Sequence, residues 1–160
     1  MNEAQISEFL EKTFGELVGA LEIASSGSVS LDETGDRQSF IITATTEEPS
    51  VLIGYHGRTL DALGTVLTAI AYKKIGDKVS VRVDVDEWRA KREESLVSLA
   101  RSVASRVINS GREEPLYNLT PAERKVVHTA LGEIEGVISE SIGEGRDRYL
   151  VVKPQKADSE

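Results

Sequence analysis

Apolar residues recur three or four positions apart over the first twenty residues of the chain, which is the spacing of one helix face. Asn2 and Gln5 have the separation of an N-terminal capping box. The pattern predicts an amphipathic helix over residues 3–21. Its apolar positions are Ile6, Phe9, Leu10, Leu17, Val18 and Leu21.

Apolar and polar residues alternate in three later segments, which is the pattern of half-buried strands. Ser28–Glu33 and Gln38–Thr45 flank Thr34-Gly35-Asp36-Arg37, whose residues suit a tight turn, so these segments predict a β-hairpin. Val79–Val85 alternates valine with polar residues and predicts a third strand.

A short helix and a longer one are predicted between the hairpin and the third strand. Pro49 suits the first turn of a helix over residues 49–53, and Gly54-Tyr55-His56-Gly57 then interrupts it. The longer helix begins near Arg58 and is expected to stop at Gly76, because glycine commonly follows a helix C-terminus.

The second half of the chain predicts two helices and two strands. Residues 88–109 place their apolar side chains on one helix face, and Thr120-Pro121-Ala122-Glu123 combines a capping box with a proline at the first helical position. Trp88 is expected to pack between domains rather than to stack on a base. The remaining predictions are a helix that ends near Gly132 and strands over Val137–Ile142 and Arg148–Val152, joined by Gly143-Glu144-Gly145-Arg146.

Charge is distributed unevenly along this acidic chain, whose net charge is -8. Residues 1–57 contain 10 acidic and 2 basic side chains, whereas residues 58–160 contain 17 of each. Within the latter, residues 88–128 contain 8 basic and 5 acidic side chains. Nucleic-acid binding depends on cations close to phosphate, so a local basic surface is compatible with the acidic total.

Neither the start of the chain nor any later stretch suggests a secreted or membrane protein. Residues 1–5 lack the basic and apolar regions of a signal peptide, and no run approaches the roughly 20 apolar residues that span a bilayer. The chain has no cysteine, two histidines, no His-Glu-x-x-His pattern and no convincing set of nucleophile, base and stabiliser. We therefore expect a cytoplasmic, non-enzymatic protein without a metal, a cofactor or membrane insertion.

The Gly54-Tyr55-His56-Gly57 loop is the first candidate binding site. Its glycines remove side chains where a sugar-phosphate backbone can approach, and the next helix offers unpaired N–H groups to a phosphate. With the order helix-strand-strand-helix-helix-strand, the loop resembles the bacterial-type KH domain, whose Gly-x-x-Gly loop clamps about four single-stranded nucleotides. The stretch Val51–Leu63 is very similar to that of the Jag family, the SpoIIIJ-associated RNA-binding proteins.

The loop departs from the usual pattern of such families, which have one or two Lys/Arg between the glycines. This chain has Tyr55 and His56 there. Histidine is mostly uncharged at neutral pH, which leaves Arg58 to attract phosphate. Tyr55 is expected either to stack on a base or simply to cover the loop, and the sequence does not decide between these two roles.

Arg124 and His128 are the second candidate site, because residues one helical turn apart project from the same side. Such a pair alone is typical of a solvated helix flank. On a proline-opened helix followed by two strands with a Ser/Gly-rich turn, the pair resembles the Arg-x-x-x-His single-strand nucleic-acid-binding domain, which follows the KH domain in Jag proteins. The resemblance implies that Arg124 and His128 contact phosphate or sugar, with Arg146 or Arg148 as a weaker candidate.

The chain is therefore predicted to be an α+β protein with a bacterial-type KH domain over residues 1–87, a small α/β Arg-x-x-x-His domain over residues 88–154 and a disordered tail over residues 155–160. The leading hypothesis is a protein that binds single-stranded RNA, with single-stranded DNA as an alternative ligand. The resemblance also implies RNA-level control of cell envelope growth or division and a second small KH-domain protein as partner. The alternative hypothesis is a protein-interaction scaffold that keeps the KH fold but has lost RNA affinity.

Overall fold

The computed structural model describes residues 1–32, 38–76 and 79–155. The chain divides into two compact units, of which the first is Met1–Trp88 and the second begins at Arg89. Among the described residues, no helix combines the length and the apolarity needed to cross a lipid bilayer.

The first unit has the predicted order of elements and a mixed sheet. Strand β1 is antiparallel to β2, β3 is parallel to β2, and the strand order is β1-β2-β3. The predicted hairpin turn, Thr34–Arg37, lies outside the described residues, and β1 begins three residues earlier than its alternation indicated. The elements are α1 (Glu3–Ala20), β1 (Ser25–Asp32), β2 (Ser39–Thr46), α2 (Pro49–Ile53), α3 (Arg58–Ile75) and β3 (Ser80–Val85).

The core of the first unit explains why these segments fold as they do. The predicted capping box at Asn2 and Gln5 is present, and α1 buries one apolar stripe against the sheet. Gly27 leaves room for the Phe14 ring, because a Cβ at Gly27 would lie 2.8 Å from that ring. Each large apolar side chain that is fully buried contributes about 1.5–3 kcal/mol. Those buried in α1 and β2 are Ile6, Leu10, Phe14, Val18, Phe40 and Ile42.

Helix α3 is fixed closely against β3, and this contact positions the loop at the start of the helix. A Cβ on Gly64 would lie 3.0 Å from the carbonyl oxygen of Val81, so only glycine lets the helix approach this far. The Thr68 hydroxyl accepts a hydrogen bond from the Val81 N–H at 2.9 Å. Gly76 ends the helix in a left-handed conformation, as predicted.

The second unit consists of helices on one face of an antiparallel sheet with the strand order β4-β6-β5. The sequence did not predict β4, whose central residue, Pro115, is tolerated because β4 is an edge strand. Gly145–Asp147 forms a 3₁₀ turn before β6. The elements are α4 (Trp88–Ser110), β4 (Glu114–Leu116), α5 (Pro121–Gly132), β5 (Val137–Ile142) and β6 (Tyr149–Pro154).

Two boundaries of the second unit differ from the sequence-based prediction. Strand β6 begins at Tyr149 rather than Arg148 and extends to Pro154, which pairs with Val137. Gln155 was expected to be disordered, but its N–H donates to the carbonyl oxygen of Gly136 at 2.9 Å. The rest of the predicted disordered tail, residues 156–160, lies outside the described residues.

The predicted capping box at the start of α5 is present and is reinforced by an ion pair. Glu123 accepts from the Thr120 N–H at 2.9 Å, and Thr120 accepts from the Glu123 N–H at 3.2 Å. Glu123 is only 7% exposed, and Arg92 on α4 lies 2.7 Å from its carboxylate. Because a buried carboxylate needs a partner, this pair holds the start of α5 against α4.

Candidate nucleic-acid interface

The Gly54–Gly57 loop joins α2 to α3 through an unusual run of backbone conformations. Gly54 ends α2 with a φ of 70°, and Gly57 precedes α3 with a φ of 77°. His56, between them, also has a positive φ of 53°. Left-handed conformations favour glycine, so the two glycines allow the chain to turn sharply between the helices.

A close contact with Trp88 gives Gly57 a second reason to be glycine. A Cβ at Gly57 would lie 2.5 Å from the Trp88 ring, while a Cβ at Gly54 would collide with the side chain of Thr59. Trp88 packs against the core of the first unit, and its ring covers the buried end of the loop. Sequence reasoning missed this contact, since the two residues are far apart in the chain.

The side chains of the loop form a small exposed stack. Tyr55 is 63% exposed, and the His56 ring lies edge-on to it with 4.2 Å between the ring centroids. The Arg58 guanidinium carbon lies 5.4 Å from the centre of the Tyr55 ring, within the range of a cation–π contact. Arg58 is therefore held close to the loop, and Tyr55 keeps most of its surface accessible.

The N-terminus of α3 is open but is not strongly basic. No side chain of the described residues caps it, and the Arg58 N–H donates to the Tyr55 carbonyl oxygen. Asp61 places an acidic side chain in the first turn. Residues 1–88 contain 15 acidic and 7 basic side chains, so the loop belongs to an acidic unit and attracts phosphate mainly through backbone N–H groups and Arg58.

The second candidate site is organised by hydrogen bonds that begin at Arg124. One terminal nitrogen of its guanidinium, Nη1, donates to the carbonyl oxygen of Leu119 at 2.7 Å and to that of Arg148 at 3.1 Å. The half-buried side chain therefore joins the loop before α5 to the start of β6. Hydrogen bonds from a charged donor are the stronger kind, so this is a fixed structural link.

Two serines of β5 hold the other polar side chains of this site. The Nδ1 atom of His128 lies 2.6 Å from the Ser139 hydroxyl, and Arg148 Nε donates to the Ser141 hydroxyl at 2.7 Å. His128 and Arg148 are both exposed. Sequence reasoning missed Ser139 and Ser141, although their alternate positions in a strand place them on one face.

Arg146 lies apart from this row of hydrogen bonds. It occupies the 3₁₀ turn Gly145–Asp147 and is exposed. Within residues 1–32, 38–76 and 79–155, its side chain makes no hydrogen bond or ion pair. Its guanidinium is therefore accessible to a ligand at the end of the sheet that carries Arg148.

The structure thus brings the predicted residues together in two groups, one in each unit. Gly54 to Arg58 form the loop of the first, and Arg124, His128 and Arg148 converge on one side of the second. No cluster of His, Asp and Glu within the described part of the chain could hold a metal ion.

Comparison with known proteins reproduces this order of two modules. Residues 7–85 match the KH domain of the KhpA/KhpB family, and residues 94–154 match the domain named for its Arg-x-x-x-His motif. The chain belongs to the KhpB/Jag family. The Arg124/His128 helix lies within the second match, and the Gly54–Gly57 loop lies within the first.

Several curated relatives of this family carry the name RNA-binding protein KhpB. The chain is 30% identical over 145 residues to the protein from Clostridium symbiosum and 31% identical over 136 residues to that from Bacillus subtilis (strain 168). These alignments cover 91% and 84% of this chain, but only 63% and 64% of the relatives. A Streptococcus pneumoniae relative is 32% identical over 117 residues, or 73% of this chain and 36% of its own length.

Proposed function

We propose that this chain binds single-stranded RNA, without enzymatic activity, through the Gly54–Gly57 loop and the Arg124/His128 side of the second unit. The observation that carries the proposal is the second site, where His128 and Arg148 are exposed while serine hydroxyls fix their orientation. The names of the KhpB relatives support the choice of RNA.

The loop suits contact with the backbone of the ligand. Gly54 and Gly57 leave no side chain between a sugar-phosphate chain and the backbone, and α3 presents N–H groups to a phosphate. Arg58 supplies one cation beside Tyr55. The exposed Tyr55 ring is available to stack on a base, a contact worth about 1–3 kcal/mol where it occurs.

The second site suits contact with phosphate and sugar oxygens. Arg148 keeps donors free after its bond to Ser141, because a guanidinium has five N–H groups. His128 is exposed beside it, and Arg146 adds a further cation at the same end of the sheet. Arg124 acts here mainly by fixing the backbone carbonyl of Arg148.

Two weak sites on one chain strengthen each other when a ligand is long enough to reach both. Once one site is occupied, the other binds at a high effective concentration, and the combined affinity exceeds that of either site. This compensates for the modest charge of the loop. Binding is expected to weaken as salt is added, because phosphate contacts release counterions.

The proposal is tested by fluorescence anisotropy with labelled single-stranded RNA of about 10–20 nucleotides, several times the footprint of a Gly-x-x-Gly loop. We expect binding at low salt and a clear loss in the Tyr55→Asp/His56→Asp variant. Tyr72→Asp is the matched control for Tyr55→Asp, since Tyr72 is also exposed but lies far along α3. Absence of binding at low salt, or equal affinity of the loop variant and wild type, contradicts the proposal.

The same proposal extends to the biological setting. We place the RNA contacts in the control of cell envelope growth or division, with a second small KH-domain protein as partner, and we treat residues 1–87 and 88–154 as the two functional domains. Competition between RNA and single-stranded DNA of the same sequence tests the ligand. Deletion of the gene, followed by complementation with wild type or the loop variant, tests the setting.

The acidic first unit favours a second candidate function, that of a protein-interaction scaffold. Its excess of acidic side chains and the absence of Lys or Arg between Gly54 and Gly57 both disfavour a polyanion. The two candidates differ in what co-purifies with the chain. Nucleic acid, detected by its absorbance at 260 nm, supports RNA binding, whereas a nucleic-acid-free protein that captures a protein partner supports the scaffold.

A further inference from the structure

Two tyrosines stack on each other at the edge of the second sheet, outside the residues discussed above. Tyr117 directly follows β4 and Tyr149 begins β6. Their ring centroids are 4.8 Å apart, and the ring planes are inclined by 37°. Tyr117 is 59% exposed, so the pair presents an aromatic surface to solvent instead of filling the core.

The strand register shows that this pair lies on the sheet face opposite the helices. Leu116 pairs with Leu150, and Leu150 is buried in the core with residues of α4 and α5. Side chains alternate between the faces of a strand, so the adjacent Tyr149 lies on the other face. Ile142 pairs with Tyr149 and shares that face.

Arg124 links the aromatic pair to the polar site. Its guanidinium donates to the carbonyl oxygen of Leu119, two residues after Tyr117, and to that of Arg148, the residue before Tyr149. Asn118, directly after Tyr117, has a positive φ of 59°. The segments that carry the two rings are therefore held together by the same side chain that organises the polar row.

We propose that Tyr117 and Tyr149 form a base-stacking platform, on which unpaired nucleobases of RNA rest while their phosphates lie near Arg148. This inference rests on the proposed function and assigns a specific contact to its second site. Exposed aromatic rings on an open sheet face accept bases of any sequence, because every base has a π-face. Lys153 and Glu140 neutralise each other in an ion pair of 2.6 Å on the same sheet, so stacking rather than charge is the contribution expected there.

The test compares Tyr117→Ala, Tyr117→Leu and Tyr117→Phe in the full chain, with single-stranded RNA of mixed sequence. We expect Tyr117→Ala and Tyr117→Leu to weaken binding about 5- to 100-fold, in the range of one lost base stack, while Tyr117→Phe retains the wild-type affinity. The slope of affinity against salt is expected to stay unchanged in all three, because no phosphate contact is lost. Thermal unfolding confirms that each variant folds.

A direct readout comes from RNA that contains 2-aminopurine, whose fluorescence is quenched when the base stacks on an aromatic ring. Quenching by wild type and Tyr117→Phe, and its loss with Tyr117→Leu, supports the platform. Equal affinity and equal quenching for Tyr117→Leu and wild type overturn it, as does a loss of affinity that is the same for RNA with abasic nucleotides. If wild type binds no RNA, the proposed function fails as well, which separates the two cases.

Discussion

The two candidate sites differ in which part of the chain meets the ligand. In the first unit the site is a backbone surface, created by Gly54 and Gly57 and supported from beneath by Trp88. In the second unit the site is a set of side chains, in which Arg124, His128 and Arg148 are each oriented by a hydrogen bond. A substitution in the loop should therefore act on binding, whereas one in the second site should act on binding and folding together.

The electrostatic difference between the units points the same way. Residues 1–88 have 15 acidic and 7 basic side chains, while residues 89–160 have 12 of each. A backbone site needs few cations because N–H groups and the positive end of α3 attract the phosphate. The second unit, which is neutral overall and has exposed Arg146 and Arg148, is expected to supply more of the long-range attraction.

The largest effect is expected where the backbone site depends on the absence of a side chain. Gly57→Ala forces a left-handed residue and a collision with Trp88, and should destabilise the first unit by about 2–5 kcal/mol. Urea unfolding followed by the fluorescence of Trp88, the single tryptophan, measures this loss.

Gly76→Ala is the matched control for Gly57→Ala. Gly76 has nearly the same φ, 76°, but nothing lies within 4 Å of the position of its Cβ. It should cost only the left-handed conformation, about 1–2 kcal/mol. If the two variants lose the same stability, the Trp88 contact does not limit the residue at position 57.

The next effect is expected at Arg124, where the side-chain site and the fold overlap. Arg124→Lys keeps the charge but cannot donate to both carbonyl oxygens in the same geometry, so we expect a loss of about 1–3 kcal/mol in unfolding free energy. Chemical denaturation measures it, and Tyr55→Ala, which alters an exposed loop residue, should change stability by less than about 0.5 kcal/mol. Equal effects of the two substitutions would remove the distinction between the sites.

These first two predictions also show which parts of the account follow from the sequence. The capping boxes at Asn2 and Thr120, the loop glycines and the Arg124/His128 spacing are local patterns, so they were predicted and found. The contact of Gly57 with Trp88 and the bonds of His128 and Arg148 to serines join residues distant in the chain. Strand β4 was missed because three residues with a central proline show no alternation.

A smaller effect is expected from the serine that orients His128. Ser139→Ala removes one hydrogen bond at an exposed position and should weaken RNA binding about 2- to 6-fold, the equivalent of roughly 0.5–1 kcal/mol. Ser28→Ala, a change at an exposed strand serine in the first unit, serves as control in the same anisotropy titration. An unchanged affinity for Ser139→Ala would mean that His128 needs no support to act.

The smallest effect is expected from acid, on the pair that joins α4 to β4. The Arg106 guanidinium hydrogen-bonds to Glu114 at 2.6 Å and holds the pKa of that carboxyl below its usual value. The stability this provides is complete above the unfolded pKa, about 4.3 for a glutamate, and is lost as the pH falls through the lower folded value.

Stability measured from pH 7 down to pH 3 therefore should fall less steeply in Glu114→Gln than in wild type. Since the pair is largely exposed to solvent, the difference should be small and should shrink further when salt is added. Identical pH profiles would show that the pair contributes nothing to the second unit.

The most direct test of the two-site account is the salt dependence of RNA binding in matched arginine variants. Arg58→Ala should reduce the slope of log affinity against log salt by about 0.7, and Arg146→Ala/Arg148→Ala by about 1.4, because each phosphate contact on a single strand contributes about 0.7. Lys73→Ala, at the far end of α3, should leave the slope unchanged. A wild-type slope in the Arg146→Ala/Arg148→Ala variant would contradict the claim that the second unit carries the larger share of phosphate binding.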